Sequence, residues 1–317
     1  MALEFEKPVI ELETRIAELE AYGKENGVDM TDELELMTKR LERLRSETFD
    51  ALSRWQRVQL ARVAGRPTAL DYFYKTFTHY TELHGDRALG EDAAIVGGLA
   101  RLEGRAVVVI GQQKGRDTKE NIQRNFGMAH PEGFRKAMRL MDLAEKFNLP
   151  IVTLIDTPGA YPGIASEERG IAWVIAQSIQ RMTRLKVPVI SVIIGEGGSG
   201  GAIAIAVGNR VLILENAVYS VISPESCAVI AWKDVKEAEK AAEALRLTAK
   251  DLLQFEIVDA VISEPKGGAH NDLNAAAAYL KTALLEHLGQ LENLTVTDLL
   301  MQRAARFRKL GQVEELT

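Results

Sequence analysis

Cysteine is scarce in this sequence, since Cys227 is the only one among 317 residues. A lone thiol cannot form an internal disulfide, and with five scattered histidines it cannot build a cysteine-based structural zinc site. The histidines also lack the spacing of metal ligands. We therefore expect a chain that binds no metal and works in the reducing cytoplasm.

Long apolar runs and an excess of basic residues are missing too. No apolar stretch approaches the roughly 18 residues that cross a bilayer, and the N-terminal segment is too acidic for a signal peptide. Lys and Arg number 39 against 45 Asp and Glu, a net charge of −6, which argues against nucleic acid as the main partner. Hydrophobic residues make up 46% of the chain, enough to bury a sizeable core. We expect neither membrane nor nucleic-acid binding.

Apolar residues recur at helical spacing within residues 1–65. The first run is Val9, Leu12, Ile16 and Leu19, and after a GKENG break the second run is Leu34, Met37, Leu41, Leu44, Thr48, Leu52, Trp55 and Val58. This pattern predicts an N-terminal helical hairpin. Its apolar stripe is narrow, so we expect it to pack against the body of the protein or another subunit and to take no part in chemistry.

Residues 66–317 have a different sequence pattern, in which short apolar segments alternate with helical ones. Candidate strands are residues 93–102, 105–113, 150–156, 187–194, 209–215 and 217–223. Candidate helices are residues 131–148, 167–184, 200–208 and 234–246, with more helix after residue 272. Continuous Val and Ile runs interleaved with helices predict an α/β domain.

Two glycine-rich turns each follow a candidate strand and precede a helix. The first lies at residues 155–163 (IDTPGAYPG) and the second at residues 195–202 (GEGGSGGA). Such turns leave backbone N–H groups free at the carboxyl end of a strand, where they can hold an anion or a developing oxyanion. The alternative is that they are tight packing turns, for which glycine is equally suited.

The second turn also matches a dinucleotide-binding pattern. Gly195, Gly197 and Gly200 satisfy G-x-G-x-x-G, and Glu215 follows at the end of a candidate strand. However, only about eight residues separate Gly201 from the next strand, too few for a helix that crosses a parallel sheet. We therefore set this interpretation aside.

A serine-hydrolase pattern overlaps the same turn. Gly197, Ser199 and Gly201 satisfy G-x-S-x-G, the nucleophile elbow of serine hydrolases. A triad would have to recruit residues such as Asp259 and His270, and nothing around His270 marks it as a base. A serine hydrolase remains an alternative.

A basic cluster lies between a candidate strand and a candidate helix. Lys114, Arg116, Lys119 and Arg124 fall within residues 111–127 of an otherwise acidic chain. Basic side chains at that place could hold a carboxylate or a phosphate-bearing coenzyme. The alternative is a solvated loop with ordinary surface ion pairs.

Taken together, several segments resemble a known family. They are GQQKGRDTKENIQRNFGM, PEGFRKAMRLM, DTPGAYPG, EERG, GEGGSGGA, YSVISPE and EPKGGAH. In this order they resemble the carboxyltransferase alpha subunits of the bacterial multi-subunit acetyl-CoA carboxylase, and the resemblance covers nearly the whole chain. Two positions depart from the family pattern, which usually has His where this chain has Gln112 and Gly where it has Ser226.

The resemblance implies a crotonase-type fold, a superhelix of β-β-α units whose glycine-rich turns form oxyanion holes. It also implies partners. A separate beta subunit carries a zinc ribbon with four cysteine ligands and forms an alpha2-beta2 heterotetramer with the alpha subunit. The carboxyl group arrives on the biotin carboxyl carrier protein, and ATP is consumed by the biotin carboxylase subunit.

The reaction implied is transfer of a carboxyl group from carboxybiotin to acetyl-CoA, which gives malonyl-CoA for fatty acid synthesis. Both halves pass through an oxyanion, so backbone amides carry much of the catalysis. No side-chain base is required if the biotin anion itself takes the methyl proton of acetyl-CoA. Carried over from the family, the oxyanion-hole or close-approach positions are Gly159, Ala160, Gly198, Gly200 and Gly201. We expect Lys114, Arg116 and Arg124 to line the approach and favour anionic substrates.

Another alternative is a free-standing crotonase-type hydratase or isomerase. That enzyme would need a carboxylate over the acyl chain, and the nearest candidates are Glu167, Glu168 and Glu196. A non-catalytic scaffold is the remaining possibility, and it would tolerate a bulky residue at Gly201 without losing activity.

Overall fold

The computed structural model describes residues 3–311 and begins with two long helices. These are α1 (Lys7–Asn26) and α2 (Thr31–Asp50), which pack side by side after a short 3-10 turn. α1 ends at Gly27, whose φ of 65° lies in the left-handed region that glycine adopts without strain. The two helices form the hairpin that the apolar spacing predicts.

The second helix of the hairpin stops before the predicted apolar stripe does. Ser53 begins a new helix, α3 (Arg54–Ala61), because its hydroxyl accepts the Gln56 N–H at 3.2 Å while the Gln56 side chain accepts the Ser53 N–H at 2.8 Å. Arg54 then binds Glu243 at 2.5 Å and Asp251 at 2.7 Å. α3 is thus held to the body of the protein, although it falls inside the segment predicted as hairpin.

One eight-stranded sheet organises the rest of the described chain. Its strands are β1 (Thr78–Glu82), β2 (Ile95–Leu102), β3 (Arg105–Gln112), β4 (Ile151–Thr157), β5 (Val189–Gly198), β6 (Arg210–Leu214), β7 (Val218–Ser220) and β8 (Ala260–Ile262). The order is β1-β2-β3-β4-β5-β6-β8, and β7 pairs with the end of β5. Pairs among β1, β2 and β3 are antiparallel, whereas all others are parallel. The carboxyl ends of β3, β4 and β5 therefore meet at one edge.

Helices connect the strands and cover the sheet. They are α4 (Ala69–Thr76), α5 (Thr118–Gln123), α6 (Pro131–Lys146), α7 (Ile164–Glu168), α8 (Ile171–Thr183), α9 (Ser199–Ile203), α10 (Pro224–Trp232), α11 (Ala238–Leu245), α12 (Ala249–Gln254), α13 (Leu273–Glu292) and α14 (Val296–Arg308). Apolar side chains of β3 to β6 are fully buried beneath α6, α8 and α13 in one continuous core. The predicted α/β fold is confirmed.

A buried arginine fixes the last helix, α14, on the sheet. Arg303 is 1% exposed and donates hydrogen bonds to the carbonyls of Met182, Leu185 and Val187 and to the Asn209 side chain, at 2.5 to 3.0 Å. Burial lowers the pKa of Arg303 to about 10, so the guanidinium stays charged at neutral pH. These contacts hold α14 at the amino ends of β5 and β6, which begin at Val189 and Arg210.

Most predicted elements lie where the sequence placed them, but several have different bounds, and the helix predicted at residues 167–184 is divided into α7 and α8. The strand predicted at residues 187–194 continues to Gly198, the one predicted at residues 217–223 is reduced to Val218–Ser220, and the helix predicted at residues 200–208 is only Ser199–Ile203. Within residues 3–311, none of the helices is long and apolar enough to cross a membrane.

Candidate active site

The two glycine-rich turns follow β4 and β5, which are neighbours in the sheet. The strands pair regularly as far as Ile155 and Ile193, and the next pair is Thr157 with Gly197. Residues 194–196 of β5 therefore lie opposite Asp156 alone, which makes a bulge. A Cβ on Gly195 would lie 2.5 Å from the Asp156 carboxylate, so a larger residue would have to displace that side chain.

The two turns also touch each other through their backbones. A Cβ on Gly198 would lie 2.1 Å from the Pro158 carbonyl oxygen, and one on Gly201 would lie 2.5 Å from the Ala160 nitrogen. Ordinary contacts begin at about 3.4 Å, so both glycines are required for this approach. The structure thus brings together four of the positions carried over from the family, namely Gly159, Ala160, Gly198 and Gly201.

The backbone N–H groups of the two turns are not equally available. The Gly159 N–H donates to the Thr157 hydroxyl at 3.1 Å, and that hydroxyl donates to the Gly159 carbonyl at 2.6 Å. Among the residues that the structure describes, the Ala160 N–H has no acceptor. Gly200 and Gly201 lie in the first turn of α9, where N–H groups have no partner within the helix. Free donors from both turns therefore lie close together.

Ser199 occupies a strained position between these glycines. Its φ is 51°, a left-handed conformation that costs a non-glycine residue about 1 to 3 kcal/mol. The residue is exposed, as the nucleophile of an elbow would be. The expected triad partners are engaged elsewhere, since Asp259 accepts a bond from Arg306 at 3.0 Å and His270 lies 3.7 Å from Glu6. The serine-hydrolase interpretation is wrong because its triad is not assembled.

The dinucleotide-binding pattern fails for the reason given from the sequence. α9 has five residues and ends at Ile203, so it does not cross the sheet. The strand that ends near Glu215, β6, pairs directly with β5. Glu215 itself accepts the Glu264 N–H at 3.1 Å.

Lys114 is partly buried and forms an ion-pair network with carboxylates from both turns. Its Nζ lies 2.8 Å from both the Asp156 and the Glu196 carboxylates, and Arg62 binds Glu196 at 2.6 Å. Burial alone would raise the pKa of Glu196, but Lys114 and Arg62 hold it below its ordinary value. Burial would lower the pKa of Lys114, and the two carboxylates raise it instead. Glu196 and Lys114 are therefore both charged at neutral pH.

The other two predicted basic residues are also paired with acids. Arg116 contacts Asp71 and is 68% exposed, whereas Arg124 donates to Glu120 at 2.9 Å and to the Ala93 carbonyl at 2.9 Å. Lys114, Arg116 and Arg124 thus have separate partners. Of the three, Arg116 alone is exposed enough to meet a substrate directly.

The carboxylates considered for a hydratase or isomerase are not poised for proton transfer. Glu196 is held by two cations, and Glu167 and Glu168 lie exposed on α7. A general acid or base has to exchange a proton near neutral pH. Glu196, kept ionised by Lys114 and Arg62, is poorly suited to that task.

A cavity of about 960 Å³ adjoins the second turn. It lies between Ser199 and Gly200 on one side and the end of α14 on the other, and its walls are mostly apolar. Residues that line it include Ile203, Tyr219, Val221, Leu252, Phe255 and Arg306. Burial raises the pKa of Tyr219 to about 12, so its hydroxyl keeps its proton. The cavity therefore offers apolar walls and a few polar groups beside free backbone donors.

The described residues at this site do not form a cluster of metal-ligating side chains. Nowhere between residues 3 and 311 do three or more His, Cys, Asp or Glu side chains come together in a way that could hold a metal ion. The polar groups that converge here are backbone amides, an ion-pair network and the buried side chain of Gln112.

Sequence reasoning missed several residues that shape the site. Asp156 and Glu196 lie in the two glycine-rich turns, but the sequence gives no sign that they pair with Lys114. Arg62, which binds Glu196, lies in the segment predicted as a hairpin. Gln112, at the end of β3, is completely buried. A polar side chain at the end of an otherwise apolar strand was the available signal, because buried amides need hydrogen-bond partners.

Comparison with known proteins places these features in a family. A sequence-family model described as acetyl co-enzyme A carboxylase carboxyltransferase-like matches residues 2–311. The acetyl-coenzyme A carboxylase carboxyl transferase subunit alpha of a Thermus thermophilus strain is 65% identical over 315 residues, 99% of this chain and 100% of that protein. The subunit of the same name from Deinococcus radiodurans is 59% identical over 305 residues, 96% of each chain.

Solved structures show the same fold at low identity. A chain of the Pseudomonas malonate decarboxylase MdcD-MdcE hetero-dimer is 18% identical, with a TM-score of 0.61 over 75% of this chain and 95% of that one. Transcarboxylase 12S, with methylmalonyl-coenzyme A bound, is 19% identical, with a TM-score of 0.59 over 81% of this chain and 46% of that one. The predicted crotonase-like architecture is confirmed. By its whole-length identity and family match, the chain belongs to the family of acetyl-coenzyme A carboxylase carboxyl transferase alpha subunits.

Proposed function

We propose that this chain is one half of a carboxyltransferase that moves a carboxyl group from carboxybiotin to acetyl-CoA, giving malonyl-CoA. The observation that carries the proposal is the contact between the two glycine-rich turns, which brings the Ala160 nitrogen against Gly201, next in sequence to the Gly200 that lines the cavity. The 65% identity to a named alpha subunit over its full length supports the same reaction.

The chemistry of this site suits stabilisation of an oxyanion by backbone donors. Carboxybiotin supplies the carboxyl group and, once that group has left, a ureido oxygen that carries negative charge. The N–H groups of Ala160, Gly200 and Gly201 are placed to donate to such an oxygen, and each donor of this kind contributes about 3 kcal/mol to lowering a barrier. These amides are held by the fold before substrate arrives, so they need no reorganisation.

The cavity beside the second turn fits a biotin ring. Biotin is a compact bicycle that is apolar except for its ureido edge, and the cavity has mostly apolar walls with free N–H donors at one side. Ile203, Val221 and Phe255 provide the walls, and the Tyr219 hydroxyl is a further donor. We assign the cavity to the ring and leave the thioester of acetyl-CoA to a partner chain.

The proposed partner is a carboxyltransferase beta subunit, with two copies of each subunit in the enzyme. Val221 and Phe255 at the cavity are 77% and 43% exposed, and apolar side chains of this size at a site indicate a surface that another chain covers. The zinc ribbon then belongs to the beta subunit. The carrier protein delivers biotin, a separate biotin carboxylase uses ATP, and the complex works in the cytoplasm.

We assign two roles to the basic residues near the site. Lys114 holds Asp156 and Glu196 together, and so supports both turns. Arg116 is exposed and Arg124 lies nearby in sequence, and we propose that they favour approach of the anionic donor or of coenzyme A phosphates. If neutral replacements at both arginines left the Michaelis constants unchanged, this second role would be wrong.

Reconstitution tests the proposal directly. A full carboxylase is assembled from this chain, its beta partner, the carrier protein and biotin carboxylase, with ATP, bicarbonate and acetyl-CoA. We expect malonyl-CoA to form only when this chain is present, and to rise with its amount until it equals that of the beta subunit. Formation of malonyl-CoA at the same rate without this chain would overturn the proposal.

A further inference from the structure

Gln112 joins the two glycine-rich turns by its side chain. It is the last residue of β3 and is completely buried. Its Nε2 donates to the Gly201 carbonyl at 2.7 Å, and its Oε1 accepts the Asp156 N–H at 3.2 Å. One amide therefore spans from the bulge of β4 and β5 to the first turn of α9.

The chemistry of the two partners fixes how this amide is oriented. The Asp156 N–H can only donate and the Gly201 carbonyl can only accept, so the Gln112 oxygen faces the first and its nitrogen the second. Neither partner makes the backbone hydrogen bond that a regular strand or helix would provide. Asp156 lies in the bulge, and α9 tightens so that the Ile205 N–H bonds to Ala202 at 3.2 Å instead of Gly201. Without Gln112, both groups would be buried and unpaired.

We infer that Gln112 is a positioning residue for carboxyl transfer, which sets the spacing between the two turns that hold the oxyanion. Its bond to the Gly201 carbonyl fixes the peptide plane at the start of α9, and its bond to Asp156 ties that plane to the strand leading into the Ala160 turn. The inference rests on the proposed function, because it concerns the same pair of turns.

The neighbouring residue, Gln113, provides a matched comparison. It is 1% exposed, and its side chain likewise makes one bond of each kind, accepting the Leu70 N–H at 2.9 Å and donating to the Lys114 carbonyl at 2.8 Å. Neither bond reaches a glycine-rich turn. Loss of the Gln113 amide should therefore affect folding stability in a similar way and leave the turns in place.

The kinetic test compares Gln112→Met with Gln113→Met in the complex with the beta subunit. Both variants keep the length of the side chain and remove two hydrogen bonds. In malonyl-CoA-dependent carboxylation of biocytin, we expect Gln112→Met to lower kcat about 10- to 100-fold with KM unchanged, because a displacement near 1 Å costs that much. Gln113→Met should keep the wild-type kcat while its melting temperature falls.

Two results would contradict the inference. One is a wild-type kcat for the Gln112→Met complex, and the other is an equal loss of kcat in both variants. Should Gln112→Met fail to assemble, Gln112→Asn takes its place, because the shorter amide keeps the buried polarity but cannot reach both partners. The same loss of kcat is expected for it.

Hydrogen exchange on the full chain tests the bridge without any turnover. In Gln112→Met, peptides covering residues 151–163 and 198–206 should exchange faster than in the wild type, and in Gln113→Met they should not. Unchanged exchange in both segments would overturn the inference. An inactive wild-type complex would instead overturn the proposed function, so the two failures are told apart.

Discussion

Replacing Gly201 with alanine should separate the two turns and slow carboxyl transfer. The added Cβ would lie 2.5 Å from the Ala160 nitrogen and from the Gly159 carbonyl carbon, both of them backbone atoms. To restore an ordinary contact of 3.4 Å, one turn must move by roughly 1 Å. A shift of that size at reacting groups costs on the order of 100-fold in rate, and overpacking costs about 1 to 3 kcal/mol of folding stability.

The assay is biocytin carboxylation by the alpha and beta subunits together, with kcat and KM measured separately. Gly289→Ala is the control for the substitution itself, because Gly289 lies on α13 and its Cβ would meet no atom within 4 Å. Gly200→Ala tests the neighbouring position, where the closest atom would be Ile175 Cδ1 at 3.6 Å. We expect a large loss of kcat for Gly201→Ala, and at Gly200 a smaller effect that falls mainly on KM. A wild-type kcat for Gly201→Ala would refute the assignment of the turns.

Three further predictions concern Lys114, Asp86 and Ser199. Lys114→Met should lower the free energy of unfolding by about 3 kcal/mol, because it leaves the carboxylates of Asp156 and Glu196 without their shared cation; urea denaturation with no measurable change would contradict the network. Burial would raise the pKa of Asp86, but three backbone N–H groups and an arginine lower it to about 2. At pH values above 3.8, the ordinary pKa of this carboxyl group, the ionised form therefore stabilises the fold by about 2 kcal/mol. This stabilisation is lost as the pH falls towards 2. At pH 7 the free energy of unfolding of Asp86→Asn should be lower than that of the wild type by this amount, and the difference should shrink below pH 4. A difference that does not depend on pH would contradict this role of Asp86. Ser199 should not be labelled by a fluorophosphonate, and covalent labelling would revive the hydrolase interpretation.

The elements that sequence patterns located well are those whose signal is local. β3 and β4 are runs of Val and Ile, and α6 has a clear apolar face, so their bounds differ from the prediction by about two residues or less. β1 was missed because its sequence, THYTE, is a polar edge strand with no apolar alternation. β5 continues four residues beyond its predicted end because it pairs there with β7, and no local pattern reveals which strands pair.

The site residues likewise divide into those that a local sequence pattern marks and those that it does not. The glycine turns could be found because glycine marks places where backbones approach closely, and the structure shows that approach at Gly198 and Gly201. The partners of Lys114 could not be found, since Asp156 and Glu196 come from different strands and meet only through a bulge. The basic residues were expected to face substrate, and the sequence holds no sign that acidic neighbours pair with them in the fold.

The reverse half-reaction, malonyl-CoA-dependent carboxylation of biocytin, shows whether this chain shares a carboxyltransferase site with a second subunit. It is run with this chain alone, with the proposed beta subunit alone, and with the two mixed. We expect activity only in the mixture, because on the proposed assignment this chain supplies the amides of one oxyanion site and the partner supplies the other. Activity in this chain alone would contradict the shared site. An inactive mixture of chains that demonstrably associate would contradict the carboxyltransferase assignment itself.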